Sequence, residues 1–380
     1  MGQRRSVCFF LLGILFLFTS VGRAFAEEPL IQADSAILIE ASTGRVVYEK
    51  NPDEVRPPAS MTKMMTCILG IERLAPHKLL TVSPFASATA DSELTLQPAE
   101  QMEAEQLLHG MMLVSDNGAA VVLAQEMEGT VPLFAKAMNE KAREIGCEHT
   151  HFTNPNGLPN DGHVSTARDM AKIAAYCMKN KKFREIVSER RRTIYWSSPK
   201  GRWHEAENSN NLLKTYEGIN GIKTGWTEAA GGCLAASAKR GAVELIAIVM
   251  HSPDVNVRFE DARKLLDYGF ANVSMRRGIN KDRVEKNVWV RGGVKASLAV
   301  GLEEDVNYPL LHGEQASHYT VEYDLPMVVD AGIKEGEKVG ELVLKYDGKP
   351  VATMPVVARE SVKQGFSILS FLLGLVTGFL

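Results

Sequence analysis

The chain has 380 residues, of which 45% are hydrophobic and 23% charged, so it is long enough to bury a sizeable core and to form two domains. Lys and Arg together number 43 against 46 acidic residues, which gives a formal net charge of −3. Because an acidic chain has no overall electrostatic attraction for nucleic acid, we expect no nucleic-acid partner.

The first segment has the features of a secretory signal peptide. Arginines precede an apolar run over residues 7–18, and the small-residue pattern Ala24-Phe25-Ala26 follows it. The run is too short to cross a bilayer as a retained helix. We predict a signal peptide over residues 1–26, with the mature chain beginning at Glu27.

A strand pair is predicted at the start of the mature chain. Residues 35–40 and 45–49 are rich in β-formers, and the turn Ala41-Ser42-Thr43-Gly44 separates them. This pair supplies strands at one end of the first domain.

A serine and a lysine follow at the start of a predicted helix. Ser60 and Lys63 form an S-x-x-K motif, and the apolar residues around it recur at helical spacing: Met61, Met64, Met65, Ile68 and Leu69. The spacing places Lys63 one turn after Ser60 on the same face. A second S-x-x-K, at 197–200, contains Pro199 and carries no helix signal, so we dismiss it.

Two buried helices are predicted on either side of Ser115-Asp116-Asn117. The motif interrupts the apolar stretches 107–114 and 119–124, which indicates a tight connection with side chains turned into a cleft. An ordinary helix–helix turn has the same pattern. The related S-x-N at Ser209–Asn211 is treated as a chance match.

Strands return around Lys223-Thr224-Gly225. This motif follows the stretch 218–222 and precedes strand-like runs at 231–238 and 243–250. Small residues beside Lys223 would let a substrate backbone lie against the strand. Strands at both ends of region 27–275 with helices between them predict an α+β domain, with an antiparallel sheet between helical layers.

A small all-β domain is predicted over residues 282–360. It contains short strand-like runs such as 287–291 and 319–323, and its clearest element is a hairpin, 338–346 and 351–357, around Asp347-Gly348. No catalytic constellation is visible in this domain.

The last segment, 361–380, is predicted to be an amphipathic helix. From Gly365 onward it is apolar except for a narrow stripe at helical spacing, formed by Ser367, Ser370, Gly374 and Thr377. The stretch from Gly365 onward would reach only about 24 Å as a helix, short of the roughly 30 Å hydrocarbon core of a bilayer, so we expect it to lie in the membrane surface. The alternative is a tail helix packed on the protein or on a second copy.

Three further groups of residues have ordinary explanations. The mature cysteines Cys67, Cys147, Cys177 and Cys233 are expected to be buried free thiols, although their spacing leaves disulfides open. Cys147 with His149, His151 and His163 could be a metal set, but loop or core histidines are favoured and we expect no metal. The aromatic group Tyr195, Trp196 and Trp203 with Arg202 fits a glycan contact or a surface hairpin equally well.

The order S-x-x-K, S-D-N, K-T-G is the signature of β-lactamases and penicillin-binding proteins. Together with the stretches 152–158, 163–171 and 264–270, it makes the chain resemble the D-alanyl-D-alanine carboxypeptidases, which are low-molecular-mass serine penicillin-binding proteins. The resemblance covers nearly the whole chain. It implies a β-lactamase/transpeptidase-like catalytic domain and a C-terminal β domain, with no metal or organic cofactor.

The resemblance also implies roles for individual residues. Ser60 would be acylated, neutral Lys63 would take its proton, and Ser115 would relay a proton to the departing D-alanine. Burial and the nearby Lys223 would lower the pKa of Lys63. The remaining residues would bind substrate: Asn117 the peptide group; Lys223, Thr224 and Arg258 the terminal carboxylate within the cleft that Gly225 lines; and the backbone N–H groups of Ser60 and Trp226 the oxyanion.

The implied function is a serine-type carboxypeptidase that trims peptidoglycan pentapeptide stems on the outer face of the bacterial cytoplasmic membrane. The chain lacks the glutamate with which class A β-lactamases activate the deacylating water, because no glutamate lies between Thr150 and Thr166. We therefore expect β-lactams to acylate it and to be released slowly. A DD-endopeptidase shares every motif, and an inactive penicillin-binding-like scaffold is a third reading that the intact motifs disfavour.

Overall fold

The computed structural model describes residues 26–282, residues 286–369 and Leu372. The predicted signal peptide, apart from Ala26, and the second half of the predicted tail helix, apart from Leu372, lie outside the described residues. Within them, no helix has the length and apolar character needed to cross a membrane.

The first domain is built on a five-stranded antiparallel sheet in the order β2-β1-β9-β8-β7. Its strands are β1 (Ser35–Glu40), β2 (Val46–Lys50), β7 (Ile219–Thr227), β8 (Gly231–Arg240) and β9 (Val243–Ser252). Smaller two-stranded pairs are β3 (Leu79–Thr81) with β4 (Gln101–Glu103), and the hairpin β5 (Arg191–Tyr195) with β6 (Trp203–Glu207). Because β7 ends the order, one of its edges is not paired within the sheet.

Nine helices are found in the described part of this domain. They are α1 (Lys63–Arg73), α2 (Pro84–Ser87), α3 (Ala104–Leu113), α4 (Asn117–Glu128), α5 (Val131–Ile145), α6 (Ala167–Lys179), α7 (Lys181–Ser188), α8 (Leu212–Thr215) and α9 (Val257–Asn272). A short 3₁₀ turn, Ala59–Thr62, runs directly into α1.

Alternation along the strands creates two cores, one on each face of the sheet. Ile37 and Ile39 of β1 point into the larger core, which packs against α1 and α3 to α7. Ala36 and Leu38 point into the other, which packs against α9. The predicted sheet between helical layers is therefore confirmed, and both faces of β1 are buried because helices cover both.

The second domain is all β, as predicted. Its strands are β10 (Val273–Ile279), β11 (Lys286–Arg291), β12 (Ser297–Leu302), β13 (Val306–Leu311), β14 (Tyr319–Asp324), β15 (Val328–Asp330), β16 (Lys338–Tyr346) and β17 (Lys349–Ala358). Six of them form a sheet in the order β14-β16-β17-β12-β11-β15, and β10 pairs with β13. At the predicted Asp347-Gly348 turn both residues have positive φ, as a tight hairpin between β16 and β17 requires.

Both ends of the β domain differ from the sequence prediction. Its strands begin at Val273, earlier than residue 282, because the basic segment after α9 pairs with β13. At the other end, residues 361–365 are not helical. Val362 is fully buried in the core of the β domain and Gln364 pairs with Gly293, so helix begins only at Ile368.

Arg45 joins the two domains at the turn before β2. Its guanidinium pairs with Glu314 and donates to the Tyr319 hydroxyl (2.6 Å) and to the Pro309 carbonyl (3.1 Å). It also lies 4.9 Å from the centre of the Tyr346 ring, within cation–π range. A charged, hydrogen-bonded contact of this kind fixes the β domain against the edge of the catalytic sheet.

Candidate active site

Ser60 lies in the 3₁₀ turn that leads into α1, where the sequence places it. The preceding Ala59 has a φ of +48°, which is uncommon for a residue with a side chain. Thr62 Oγ1 donates to the Ala59 carbonyl (2.8 Å), and His163 Nε2 lies 2.8 Å from the same hydroxyl. This hydroxyl–imidazole pair holds the turn in its unusual conformation.

His163 is a buried structural histidine. Its Nδ1 accepts the Thr153 backbone N–H (3.0 Å), so the proton of a neutral ring lies on Nε2 and is donated to Thr62. Burial lowers the pKa of His163 to about 4, with a smaller contribution from His151. The ring is therefore neutral at physiological pH, and the contact does not depend on protonation.

Gly157 packs directly against the nucleophile turn. A Cβ atom at this position would lie 2.0 Å from the Ala59 carbonyl oxygen, and its φ is +86°. Both the space and the backbone conformation therefore require glycine. This contact brings the segment around Asn156 up against Ser60 and Lys63.

Lys63 is fully buried and its amine makes three hydrogen bonds. Nζ lies 2.9 Å from Ser60 Oγ, 2.6 Å from Asn117 Oδ1 and 2.7 Å from the Asn156 carbonyl. Two of these partners can only accept, so a neutral amine uses both its protons on them. Its lone pair then faces the Ser60 hydroxyl, which is the arrangement a general base requires.

Burial lowers the pKa of Lys63 to about 7. Asp116 and Asp91 act in the opposite direction without reversing the effect. Repulsion between the two lysines was predicted to lower the pKa of Lys63, but it acts on Lys223. Burial, and then Lys63 and Arg258, hold the pKa of Lys223 well below its usual range. For Lys63 the predicted lowering of the pKa is confirmed, and burial, one of the two predicted causes, accounts for it.

The S-D-N motif connects α3 to α4, as predicted. Ser115 has a φ of +63°. Asp116 is fully buried: its carboxylate caps α4 through the Ala119 N–H (2.6 Å) and holds the Leu94 N–H (2.7 Å). Each carboxylate oxygen thus accepts a backbone N–H group, so Asp116 has a structural role that the sequence did not reveal. The ion pairs of the described residues do not include one between Asp116 and Lys63.

Both the oxygen and the nitrogen of the Asn117 side-chain amide form hydrogen bonds. Its oxygen accepts from Lys63, and its nitrogen donates to the carbonyls of Ala90 (2.9 Å) and Asp91 (3.2 Å). The sequence reading gave Asn117 only a substrate contact. The structure adds the positioning of the Lys63 amine, and the substrate contact stays a prediction.

The K-T-G motif lies on the edge strand β7. Lys223 is 1% exposed and its amine donates to the Thr224 carbonyl (3.0 Å). Thr224 Oγ1 lies 2.7 Å from Ser209 Oγ. A Cβ atom on Gly225 would lie 3.0 Å from the Ser60 backbone nitrogen, so glycine allows β7 to approach the nucleophile turn.

Trp226 follows Gly225 on β7, and Arg258 lies on α9. The Trp226 side chain is 58% exposed. Arg258, in the first turn of α9, donates to the carbonyls of Gly225 (2.6 Å) and Cys233 (3.4 Å), and burial lowers its pKa. The structure thus brings Arg258 to the K-T-G strand. Three basic groups, Lys63, Lys223 and Arg258, converge there with lowered pKa values.

The other candidates lie outside this cluster. Ser197 and Lys200 lie at the tip between β5 and β6. The four described cysteines are all buried and free, as expected. In the parts of the chain that the structure describes, no three His, Cys, Asp or Glu side chains come together as metal ligands.

The sequence reading missed four contributors: the Asn156 carbonyl, Asp116 as a helix cap, His163 behind the turn, and Ser209 beside Thr224. Asn156 could have been singled out because it precedes a glycine in a stretch that resembles the family. Ser209 could have been found from its S-x-N sequence, which was dismissed as a chance match. The contacts join positions far apart in the chain, such as Lys63 and Asn156, so no local pattern could reveal them.

Comparisons with known proteins give matches along nearly the whole chain. Residues 23–254 match the family model for D-alanyl-D-alanine carboxypeptidase, and residues 274–364 match that for the penicillin-binding protein 5 C-terminal domain. The chain is 33% identical to the D-alanyl-D-alanine carboxypeptidase DacF of Bacillus subtilis, with 95% of each chain covered. It is 31% identical to DacC of Escherichia coli, covering 93% of this chain and 91% of that one.

Solved structures agree with these matches. Penicillin binding protein 5 from Haemophilus influenzae superposes with a TM-score of 0.67 at 30% identity, covering 89% of this chain and all of that one. The Streptomyces K15 DD-transpeptidase superposes with a TM-score of 0.62 at 32% identity, covering 65% of this chain and all of that one. The predicted fold class is confirmed.

The pKa of Lys63 predicts a pH-dependent reaction at Ser60. Because only the neutral amine can accept the serine proton, the second-order rate constant for acylation by a labelled β-lactam should fall about tenfold per pH unit below pH 7. Above the pKa of Lys63 the rate should level off. The measurement is a rate profile between about pH 5 and 9, and a flat profile would exclude Lys63 as the base.

Proposed function

The chain belongs to the D-alanyl-D-alanine carboxypeptidase family, and we propose that it removes the terminal D-alanine of peptidoglycan pentapeptide stems through an acyl-enzyme on Ser60. The family consists of serine hydrolases that act on D-alanyl-D-alanine ends and bind β-lactams. The observation that carries the residue assignment is the buried Lys63 amine, 2.9 Å from Ser60 Oγ and with a pKa of about 7.

Acylation follows from the position of these two groups. Lys63 takes the Ser60 proton as Oγ attacks the carbonyl of the penultimate D-alanine, and the negative charge moves to the carbonyl oxygen. The backbone N–H groups of Ser60 and Trp226 are the proposed donors to that oxyanion, each worth about 3–4 kcal/mol to the barrier. The C–N bond then breaks, and the departing amine takes a proton relayed by Ser115.

Deacylation needs a base at the same position. Once its proton has passed to D-alanine, Lys63 is again a neutral amine. It can then take a proton from the water that attacks the ester, and Ser60 recovers its own proton as the ester bond breaks. No glutamate lies between Thr150 and Thr166 to activate water for a bound β-lactam, which supports slow release of the drug.

The terminal carboxylate of the substrate is the proposed partner of the basic groups at β7. Lys223 and Arg258 have lowered pKa values because burial removes water from their charged forms. An entering carboxylate supplies negative charge and raises the pKa of Lys223, which favours its charged form. The site is therefore complementary to an anionic chain end, and Thr224 adds a hydroxyl donor beside it.

The family relationship places the protein in the cell envelope, and we extend this to the outer face of the cytoplasmic membrane. The described part of the tail exposes apolar side chains: Phe366 is 75% exposed, Ile368 71%, Leu369 55% and Leu372 51%. Exposed apolar residues at a helix start support insertion into a membrane surface.

The first test is the site of acylation. Peptide mapping after treatment with labelled penicillin should find the adduct on Ser60, because this is the hydroxyl that the Lys63 amine contacts. Ser60→Ala should abolish labelling, and Ser197→Ala should leave it intact. An adduct on Ser115 or Ser197 would refute the mechanism.

Arg258→Ala should mainly weaken recognition of the carboxylate. We expect the KM for a peptide ending in D-alanyl-D-alanine to rise about 10- to 100-fold, the range of a lost charged hydrogen bond, with a smaller change in kcat. Arg263→Ala is the matched control, since Arg263 lies on the same helix but contacts Thr215. Unchanged peptide kinetics in Arg258→Ala would disprove the assignment.

Truncation tests the tail. A truncation at the start of the predicted tail, Ser361, would remove Val362 from the core of the β domain. The shortened chain should therefore end before Phe366. The shortened protein should not sediment with vesicles of anionic lipid, whereas the full mature chain should, and both should hydrolyse soluble peptide at near-equal rates. Vesicle binding by the shortened protein would refute the anchor.

A further inference from the structure

Ser209 lies in the active site although its S-x-N sequence was dismissed as a chance match. Its hydroxyl oxygen is 2.7 Å from Oγ1 of Thr224, the K-T-G threonine. Ser209 is itself exposed, whereas Thr224 is buried. This contact joins a loop to the strand that we propose binds the substrate carboxylate.

The backbone of this loop is held by buried amides. Asn208 is 6% exposed and donates to the Glu189 carbonyl (2.9 Å), while its oxygen accepts the Asn210 N–H (2.9 Å). The Ser209 N–H donates to the carbonyl of Leu113 at the end of α3 (3.1 Å). Because the loop is tied to α3 and to the end of α7, the backbone of Ser209 is held beside Thr224 by contacts that do not involve the substrate.

The number of available protons determines which hydroxyl of the pair donates when a carboxylate is bound. Either hydroxyl of the pair can be the donor when the site is empty. A carboxylate can only accept, so Thr224 must use its single proton on the substrate. The hydrogen bond between the two hydroxyls then survives only if Ser209 donates to Thr224 Oγ1.

We propose that Ser209 is a positioning residue of the carboxylate subsite, which directs the Thr224 O–H toward the free carboxylate of the substrate. Ser209 acts through Thr224 and does not touch the reacting atoms. The inference rests on the proposed function, since it assigns the carboxylate to Thr224. It would make recognition of a free chain end depend on a loop outside the three motifs.

A double-mutant cycle tests this coupling. Ser209→Ala should raise the KM for a peptide ending in D-alanyl-D-alanine about three- to tenfold, the loss expected for one neutral hydrogen bond, with little change in kcat. Ser209→Thr keeps the hydroxyl and should stay within about twofold of the parent protein. In a Thr224→Val background, Ser209→Ala should have no further effect, because the group it positions is absent.

The proposal is overturned if the effects of the substitutions at positions 209 and 224 are additive. If Ser209→Ala lowers kcat/KM equally with Thr224 and with Val at position 224, or if Ser209→Thr is as impaired as Ser209→Ala, Ser209 does not act through this hydrogen bond. Ser197→Ala is the control for loss of a serine hydroxyl, and thermal unfolding of each variant identifies a folding defect. Failure of the Ser60 assignment would appear separately, as labelling of Ser60→Ala by penicillin.

Discussion

The active site depends on one constraint: an amine with no carboxylate partner is held where water cannot reach it. Burying a lysine favours its neutral form, and this makes the Lys63 amine available for the role of base that we propose for it. The fold protects this state by occupying Asp116, the nearest buried carboxylate on the S-D-N connection, with two backbone N–H groups. The acceptors supplied to Lys63 are an amide oxygen and a backbone carbonyl, which satisfy its protons without adding negative charge.

Three separate parts of the chain have to meet for this arrangement to exist. The 3₁₀ turn brings Ser60, the α3–α4 connection brings Asn117, and the loop before Gly157 brings a carbonyl. Each approach uses an unusual backbone: Ala59, Ser115 and Gly157 all have positive φ. At Gly157 this conformation costs little because glycine has no Cβ, whereas at Ala59 and Ser115 it is strained. Strain of this kind is typical of sites that must hold groups in one geometry, and the surrounding helices and sheet offset it through their packing.

Much of this architecture could be predicted from the sequence. Short runs of β-formers bounded by turns located the main strands of the first sheet, helical spacing located α1, and apolar stretches on either side of S-D-N located α3 and α4. The order of three motifs identified residues that the structure gathers around Lys63. What could not be predicted depends on long-range contact. The carbonyl of Asn156 has no side-chain signature, and the basic composition after α9 concealed the strand β10. Ser209 looked like a chance match because it lies in a loop and its partner Thr224 lies on β7. The tail boundary was misplaced because the burial of Val362 depends on a sheet far away in sequence.

The unpaired edge of β7 has a consequence for how copies of the protein behave toward one another. An open strand edge is normally a template for pairing with other chains, and therefore an aggregation hazard. Here the edge lies between obstacles. At one end a Cβ on Gly221 would meet Val187 of α7 at 2.6 Å, and further along Gly225 lies against the Ser60 turn. Because α7 and the nucleophile turn pack against the ends of this strand, a second sheet would have to displace them to pair along the whole of β7. Packing of this kind protects an open edge from self-association without covering it.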